Sequence, residues 1–109
     1  MQHNDTVYIR HAIDAAEKAI EISQEISKKD LHGDDVYSLA LIRLLEIIGE
    51  AANHVSKKYK LDHPEVPWSH MIGMRNRLIH GYFDIDIDIV WDTVNKDLPP
   101  LVSLLKKIL

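Results

Sequence analysis

The spacing of apolar side chains restricts the fold of this chain more than any other feature of its sequence. Apolar residues recur every three or four positions in four separate segments, which is the pattern of an amphipathic helix. These segments lie within residues 5–29, 34–59, 68–80 and 84–98. Only residues 83–88 alternate apolar and polar side chains, and a strand there would have no second strand to pair with. We therefore predict an all-α protein.

Residues that begin and end helices divide the chain in the same way. The candidate N-caps, whose side-chain oxygens can accept the free N–H groups of a first turn, are Asp5 or Thr6 for the first helix, Asp34 or Asp35 for the second, and Asp84 or Asp86 for the fourth. Gly81 is placed to end the third helix, and Pro99 and Pro100 should break or kink the last one. The predicted fold is one domain over residues 1–109, an up-and-down helical bundle of four main helices plus a short Pro-kinked C-terminal helix.

Small residues on the second predicted helix indicate a close helix–helix approach. Gly49, Ala51 and Ala52 follow one another near its C-terminal end. Glycine inside a helix costs about 1 kcal/mol relative to alanine. A neighbouring backbone that packs closely against this position would offset that cost.

Arg75 lies at an unusual position on the third predicted helix. Projected at about 100° per residue, it falls at the centre of the apolar face, where an unpaired charge would be very costly. It therefore needs either a carboxylate, with Glu46 or Glu50 as candidates, or a bound phosphate. On an ideal helix His80 lies about 140° away from Arg75. The two would converge only if the helix ended before His80 or if a dimer completed the site.

Composition limits the classes of function. A net charge of −4 argues against a general nucleic-acid binder, so an RNA would have to be held locally. The local cations are Lys57, Lys58, Lys60, Arg75 and Arg77. The chain has no cysteine, no apolar run long enough for a membrane span and no signal-peptide pattern at its N-terminus. We expect a cytoplasmic protein, and the lack of a metal-ligand motif or Gly-rich phosphate loop leads us to expect no metal or other cofactor.

The segment Arg75-Asn76-Arg77-Leu78-Ile79-His80-Gly81-Tyr82 resembles the Arg-x4-His-x-Tyr signature of the HepT-like ribonuclease family, within the HEPN superfamily. Its flanks are similar to that family as well and occur in the family's order. They are LEIIGEAA at 45–52, HPEVPW at 63–68, VWDTV at 90–94 and LPPL at 98–101. The resemblance covers roughly residues 38–109.

The resemblance implies a metal-independent endoribonuclease toxin that acts as a homodimer, with the motif lining the cleft between subunits. Arg75 would bind the scissile phosphate, and His80 would be the general acid/base. Asn76 would help to orient the phosphate, and Arg77 is assigned with it to substrate binding. The expected product is a 2′,3′-cyclic phosphate. The implied partner is a nucleotidyltransferase antitoxin that adenylylates Tyr82.

A second function stays open at this point. A non-catalytic HEPN dimer could bind a nucleotide or a nucleotidyltransferase partner without cleaving RNA. The acidic net charge and the angle between Arg75 and His80 favour this alternative, whereas the complete motif favours the enzyme.

Overall fold

The computed structural model describes residues 4–79 and 84–109. The fold is all-α, as predicted, and the described residues contain no β-strand. The helices are α1 (Asp5–Gln24), α2 (Val36–His54), α3 (Lys57–Asp62), α4 (Trp68–Ile72), α5 (Met74–Leu78), α6 (Ile87–Asp92) and α7 (Leu98–Ile108). A 3₁₀ turn spans Lys28–Asp30, and a π-helical turn spans Thr93–Asp97.

The long helices α1 and α2 form the centre of the bundle. They pack along each other, α7 packs on α1, and α4 and α5 pack on α2. Small side chains of α1 let the two long helices approach closely, since Ala12, Ala16 and Ala19 are all buried. Leu41, Leu45 and Ile48 of α2 are fully buried in the same core. The bundle therefore presents α2 as a shared wall, with α1 on one side and α4–α5 on another.

The first helix begins at Asp5, but neither predicted cap closes it. Asn4 is the N-cap residue, and Thr6 donates its hydroxyl hydrogen to the Asn4 side chain over 2.7 Å. The Asp5 carboxylate instead accepts hydrogen bonds from the N–H of Ser56, at 2.7 Å, and from its hydroxyl, at 2.8 Å. Ser56 in turn caps α3 by accepting from the N–H of Tyr59. The second helix, predicted to continue to Tyr59, ends at His54 because Val55 is extended and Ser56 begins a new helix.

Asp35 is the cap of α2, in agreement with one of the two predicted positions. Its carboxylate accepts hydrogen bonds from the Ser38 N–H at 3.0 Å, the Ser38 hydroxyl at 2.6 Å and the His32 N–H at 2.7 Å. Burial opposes ionisation here, yet these hydrogen bonds to the charged form hold the pKa of Asp35 well below its usual range. The bonds fasten the loop before α2 to its first turn.

The third predicted helix is broken. Gly73 leaves helical geometry, with φ −82° and ψ 2°, and separates α4 from α5. Its N–H donates to the Ser69 carbonyl, and its own carbonyl accepts from the Asn76 N–H. The end of this helix, expected near His80, lies two residues earlier. The second half ends at Leu78, because Ile79 is extended, and Gly81 lies outside the described residues.

Within its described residues, 84–88, the alternating segment forms no strand, in agreement with the prediction. Ile79 and Ile85 make a single isolated antiparallel pairing, and the Asp86 N–H donates to the Leu78 carbonyl at 2.8 Å. The Asp86 side chain accepts from the Ile89 N–H and caps α6. Of the two predicted caps for this helix, Asp86 is therefore the one used.

The irregularity expected at the two prolines takes the form of the π-helical turn that precedes them. The Leu98 N–H donates to the carbonyl of Thr93, five residues back, and both flanking residues keep right-handed helical backbone angles. Pro99 and Pro100 then occupy the first turn of α7. Proline is tolerated in a first turn because it has no N–H to satisfy there. The chain thus remains helical from α6 to the end of α7.

Candidate functional site

The motif arginine lines an open groove between α2 and the α4–α5 segment. The groove has a volume of about 240 Å³. Its walls are Glu46, Gly49, Glu50 and Asn53 from α2, and Ile72, Arg75 and Asn76 from the other side. Two of the three polar motif residues of α5, Arg75 and Asn76, therefore line the groove together with acidic and amide side chains of α2. The first two residues of the motif therefore lie on the same surface as these α2 side chains.

Gly49 sets the width of this groove. A Cβ atom at position 49 would lie 3.0 Å from the carbonyl oxygen of Met71 and 3.3 Å from that of Ile72. The backbone of α4 thus rests directly against α2, as the small residues of α2 predicted. Arg75 follows three residues after Ile72, so its distance from Glu46 depends on this contact.

Arg75 is exposed, which corrects the expectation of a buried charge on an apolar face. Its side chain is 55% exposed, and its Nε atom lies 3.7 Å from Oε1 of Glu46. The buried positions of α5 are Met74 and Leu78. The ideal projection failed because it ran one straight helix through Gly73, where the backbone turns.

Arg43 pairs with the acidic wall of the groove without lining the groove itself, and sequence reasoning missed it. Its Nη1 atom lies 3.7 Å from Oε2 of Glu46 and 3.5 Å from Oε1 of Glu50. Two guanidinium groups therefore flank two carboxylates along α2. The signal in the sequence is helical spacing, since positions 43, 46 and 50 share one face. Glu46 therefore has two cationic neighbours, Arg43 on its own helix and Arg75 on α5.

Arg77 points away from the groove toward α4. Its Nη2 atom donates a hydrogen bond to the His70 carbonyl at 3.0 Å, and the residue is half-buried. This bond ties α5 to the end of α4 across Gly73. Of the predicted substrate-binding residues, Asn76 therefore lies at the groove with Arg75, and Arg77 lies against the preceding helix.

Comparison with known proteins identifies the family. The family model described as "Ribonuclease HepT-like" matches residues 12–108. The chain belongs to the HepT-like ribonuclease family. It is 38% identical over 108 residues to a protein of Thermococcus cleftensis named "Probable ribonuclease HepT", covering 99% of this chain and 98% of that one.

Two further members of the HepT-like family illustrate the extent of the similarity. The "Putative RNase TTE0752" of Caldanaerobacter subterraneus subsp. tengcongensis is 40% identical over 102 residues, with 94% of this chain and 91% of that one covered. The "Putative RNase MJ1380" of Methanocaldococcus jannaschii is 35% identical over 94 residues, 86% of each chain. No solved structure gives a significant match.

The remaining residues of the HepT-like motif, His80 and Tyr82, lie outside the described residues. The described residues nevertheless remove the argument that the angle between Arg75 and His80 keeps the two side chains apart. An angle of about 140° between Arg75 and His80 assumes a helix that continues to His80. Because α5 ends at Leu78 and Ile79 is extended, that assumption does not hold.

Two further observations on this HepT-like chain concern metal sites and membrane-spanning helices. Within residues 4–79 and 84–109, no three His, Asp or Glu side chains are grouped so that they could hold a metal ion. Across the same ranges, no helix combines the length and apolar character needed to cross a membrane.

Proposed function

We propose that this protein is a metal-independent endoribonuclease that uses Arg75 and His80. The observation that carries the proposal is the state of Arg75, which is exposed in an open groove and held by one long ion pair with Glu46. An exposed pair of this kind contributes only about 0–1 kcal/mol. A phosphate, which a guanidinium can grip through two parallel hydrogen bonds, can therefore replace the carboxylate at little cost.

The proposed reaction is an internal attack within the RNA. The ribose 2′-oxygen, losing its proton to a general base, bonds to the adjacent phosphorus, and the bond from phosphorus to the 5′-oxygen of the next nucleotide breaks. The leaving oxygen takes up a proton, and a 2′,3′-cyclic phosphate remains. His80 supplies the acid/base step, and Arg75 stabilises the negative charge that develops on the phosphate oxygens. Asn76 helps to orient the phosphate. DNA should resist cleavage because it has no 2′-hydroxyl.

The active form is proposed to be a homodimer. One face of α2 carries the exposed apolar side chains of Val36, 78% exposed, and Leu39, 54% exposed. At the same three- and four-residue spacing this face continues into Arg43, Glu46 and Glu50, of which Glu46 pairs with Arg75 and both glutamates line its groove. Apolar side chains repeated at this spacing form the contact seam of paired helices. A second copy on this face would cover the apolar end and enclose the groove.

The proposed biological setting is a cytoplasmic toxin–antitoxin pair. A nucleotidyltransferase antitoxin would silence the enzyme by adenylylating Tyr82. An added phosphate two residues from His80 would repel RNA from the cleft. This step rests on the motif tyrosine of the sequence.

A non-catalytic dimer that binds a nucleotide or a nucleotidyltransferase is the second candidate. The observation that favours it is the presence of Glu46 and Glu50 in the groove, since carboxylates repel a long polyanionic strand more than a single nucleotide. RNA cleavage would decide between the two.

Digestion of a mixed single-stranded RNA in excess EDTA tests the proposal. The wild-type protein should cut RNA, leave DNA intact and produce cyclic phosphate ends, and His80→Ala should be slower by about 10²–10⁴-fold. His32→Ala, an exposed histidine in the loop before α2, is the matched control and should cut normally. Activity that disappears in EDTA and returns with a divalent ion would sink the metal-free mechanism. A folded His80→Ala protein that cuts at the wild-type rate would remove His80 from the mechanism. A wild-type protein that binds RNA or a nucleotide without cutting RNA would favour the non-catalytic alternative.

A further inference from the structure

We propose that a second cavity, beside the Arg75 groove, binds a nucleobase of the RNA strand whose phosphate lies at Arg75. The inference rests on the proposed ribonuclease function and adds a subsite to it. The cavity has a volume of about 170 Å³ and lies between α1 and the C-terminal half of α2. It is lined by Tyr8, His11, Ile47, Glu50, Ala51 and His54.

Three aromatic rings form the wall of this cavity. The rings of Tyr8 and His54 are stacked, with centroids 5.2 Å apart and planes 26° apart. The ring of His11 meets Tyr8 edge-on, with centroids 6.4 Å apart and planes 86° apart. Unpaired RNA bases are commonly bound by stacking on tyrosine and histidine rings. Both histidines are exposed, so the wall is open to an incoming base.

The aromatic wall is ordered before any ligand binds. The His54 Nδ1 atom lies 2.8 Å from the Glu50 carbonyl oxygen, and in the tautomer with a proton on Nδ1 it donates a hydrogen bond there. This bond fixes the ring against the last turn of α2. A surface that is already fixed loses little conformational entropy on binding.

Glu50 connects the aromatic cavity with the Arg75 groove, because it lines both. His54 lies one helical turn beyond Glu50, a rise of about 6 Å along α2. A nucleotide next to one held at Arg75 can span this distance. The Glu50 carboxylate accepts hydrogen bonds only, so beside the stacking rings it suits the N–H donors on a base edge. The chemistry of the cavity therefore selects the base of a nucleotide.

Positive charge continues beyond the aromatic wall. Lys57 and Lys58 begin α3 three and four residues after His54, and both are exposed. The bonds from Ser56 to the Asp5 carboxylate hold this turn against α1, which also carries Tyr8. Stacking rings flanked by lysines are the usual elements of a single-strand binding surface. In this proposal the RNA runs from Arg75 past Glu50 to the three aromatic rings and then to Lys57 and Lys58.

The test measures binding of a fluorescein-labelled 2′-O-methyl RNA octamer of mixed sequence, which cannot be cut because its 2′-oxygen is blocked. Fluorescence anisotropy should show that Tyr8→Ala and His54→Ala each weaken binding by roughly 5- to 150-fold. Tyr8→Phe, which keeps the ring, should bind like the wild type. His32→Ala is the matched control at the other end of α2. An abasic oligomer of the same length should bind more weakly and should not distinguish the variants.

Two results would overturn the subsite. One is wild-type affinity for the octamer in Tyr8→Ala and His54→Ala proteins whose circular dichroism is native. The other is an equal loss of affinity for the abasic oligomer, which would mean a phosphate contact. Should Tyr8→Ala fail to fold, the exposed His11→Ala and His54→Ala serve in its place. Cleavage of unmodified RNA, measured in parallel, separates the two proposals. If binding depends on the rings but no RNA is cut, only the ribonuclease function is rejected. If RNA is cut but binding does not depend on the rings, only the base subsite is rejected.

Discussion

At the scale of single residues, Arg75 has one partner in the structure, Glu46, and would have a second, a phosphate, in the proposed reaction. In the free protein it pairs with Glu46 across 3.7 Å at the surface. Glu46 also lies 3.7 Å from Arg43, so the carboxylate keeps a cation nearby when Arg75 turns to a phosphate. The exchange of partners therefore leaves no charge isolated. Under the proposed function, both the free and the phosphate-bound groove would therefore keep Glu46 paired with an arginine.

Replacing Arg75 should affect cleavage much more than stability. Arg75→Ala should lower the rate by about 10²–10³-fold, the usual cost of losing one donor to a developing oxyanion. The free energy of unfolding should change by less than about 1 kcal/mol, since the side chain is 55% exposed. Arg75→Lys should retain part of the rate because it keeps the charge and loses the planar fork. Gel assays and urea unfolding measure the two effects, and a large loss of stability with normal cleavage would contradict this assignment.

Asp35 should make the protein sensitive to acid. Its pKa is lowered in the folded state, so its stabilising contribution is complete above about pH 4, the pKa in an unfolded chain, and declines as the pH falls below that value. Asp35→Ala should reduce the free energy of unfolding at pH 7 by about 0.5–2 kcal/mol. The difference from the wild type should shrink as the pH falls below about 4. Asp34→Ala is the control, and a difference that does not change with pH would refute the argument.

At the scale of helices, periodicity predicted the long elements well and the short ones poorly. Helices α1 and α2 and the caps Asp35 and Asp86 follow from spacing and from side-chain chemistry close by in the chain. The end of α2 depends on Asp5 bonding to Ser56, 51 residues away, and no local pattern contains such a contact. The break at Gly73 likewise became visible only in three dimensions.

The difference between local patterns and long-range contacts also decided how much of the site could be predicted from the sequence. The motif in the sequence indicated Arg75 and Asn76, and both line the groove. The exposure of Arg75 could not be predicted, because it follows from the turn at Gly73. Arg43 has no place in the motif, and it is relevant to the site only because α2 packs beside α5 and brings its partner Glu46 to Arg75.

Gly49 should control the position of the motif relative to α2. Gly49→Val would place a branched side chain against the Met71 carbonyl, where even a Cβ would be 3.0 Å away. The α4–α5 segment would have to move, at a cost of about 1–3 kcal/mol in stability. Cleavage should fall together with stability, because Arg75 would move away from Glu46 and Asn53. Thermal unfolding and the gel assay measure both, and Gly49→Ala should give a smaller effect than Gly49→Val on each. A fully stable and active Gly49→Val protein would show that this contact does not position the motif.

At the scale of the whole molecule, α2 links the three proposed surfaces. One face of it carries the exposed Val36 and Leu39, its middle carries the acidic wall of the Arg75 groove, and its C-terminal end carries His54. The apolar end and the groove follow the same three- and four-residue spacing, so a second copy that covers one would border the other. Dimerisation and catalysis are therefore expected to depend on the same helix face.

Leu39→Asp should convert a dimer into monomers. The side chain is 54% exposed in the single chain, so the substitution should leave the core of the subunit intact while placing a charge in the proposed contact. Light scattering at micromolar concentration should give the mass of two chains for the wild type and of one for Leu39→Asp, with native circular dichroism in both. Leu61→Asp is the matched control, since Leu61 is 69% exposed on α3, and it should remain dimeric.

Cleavage should fall in the Leu39→Asp protein and partly recover at high protein concentration, because residual association would rebuild the cleft. A wild-type protein that is monomeric, or a monomeric variant that cuts at the wild-type rate, would show that one subunit suffices and that this face of α2 has another purpose.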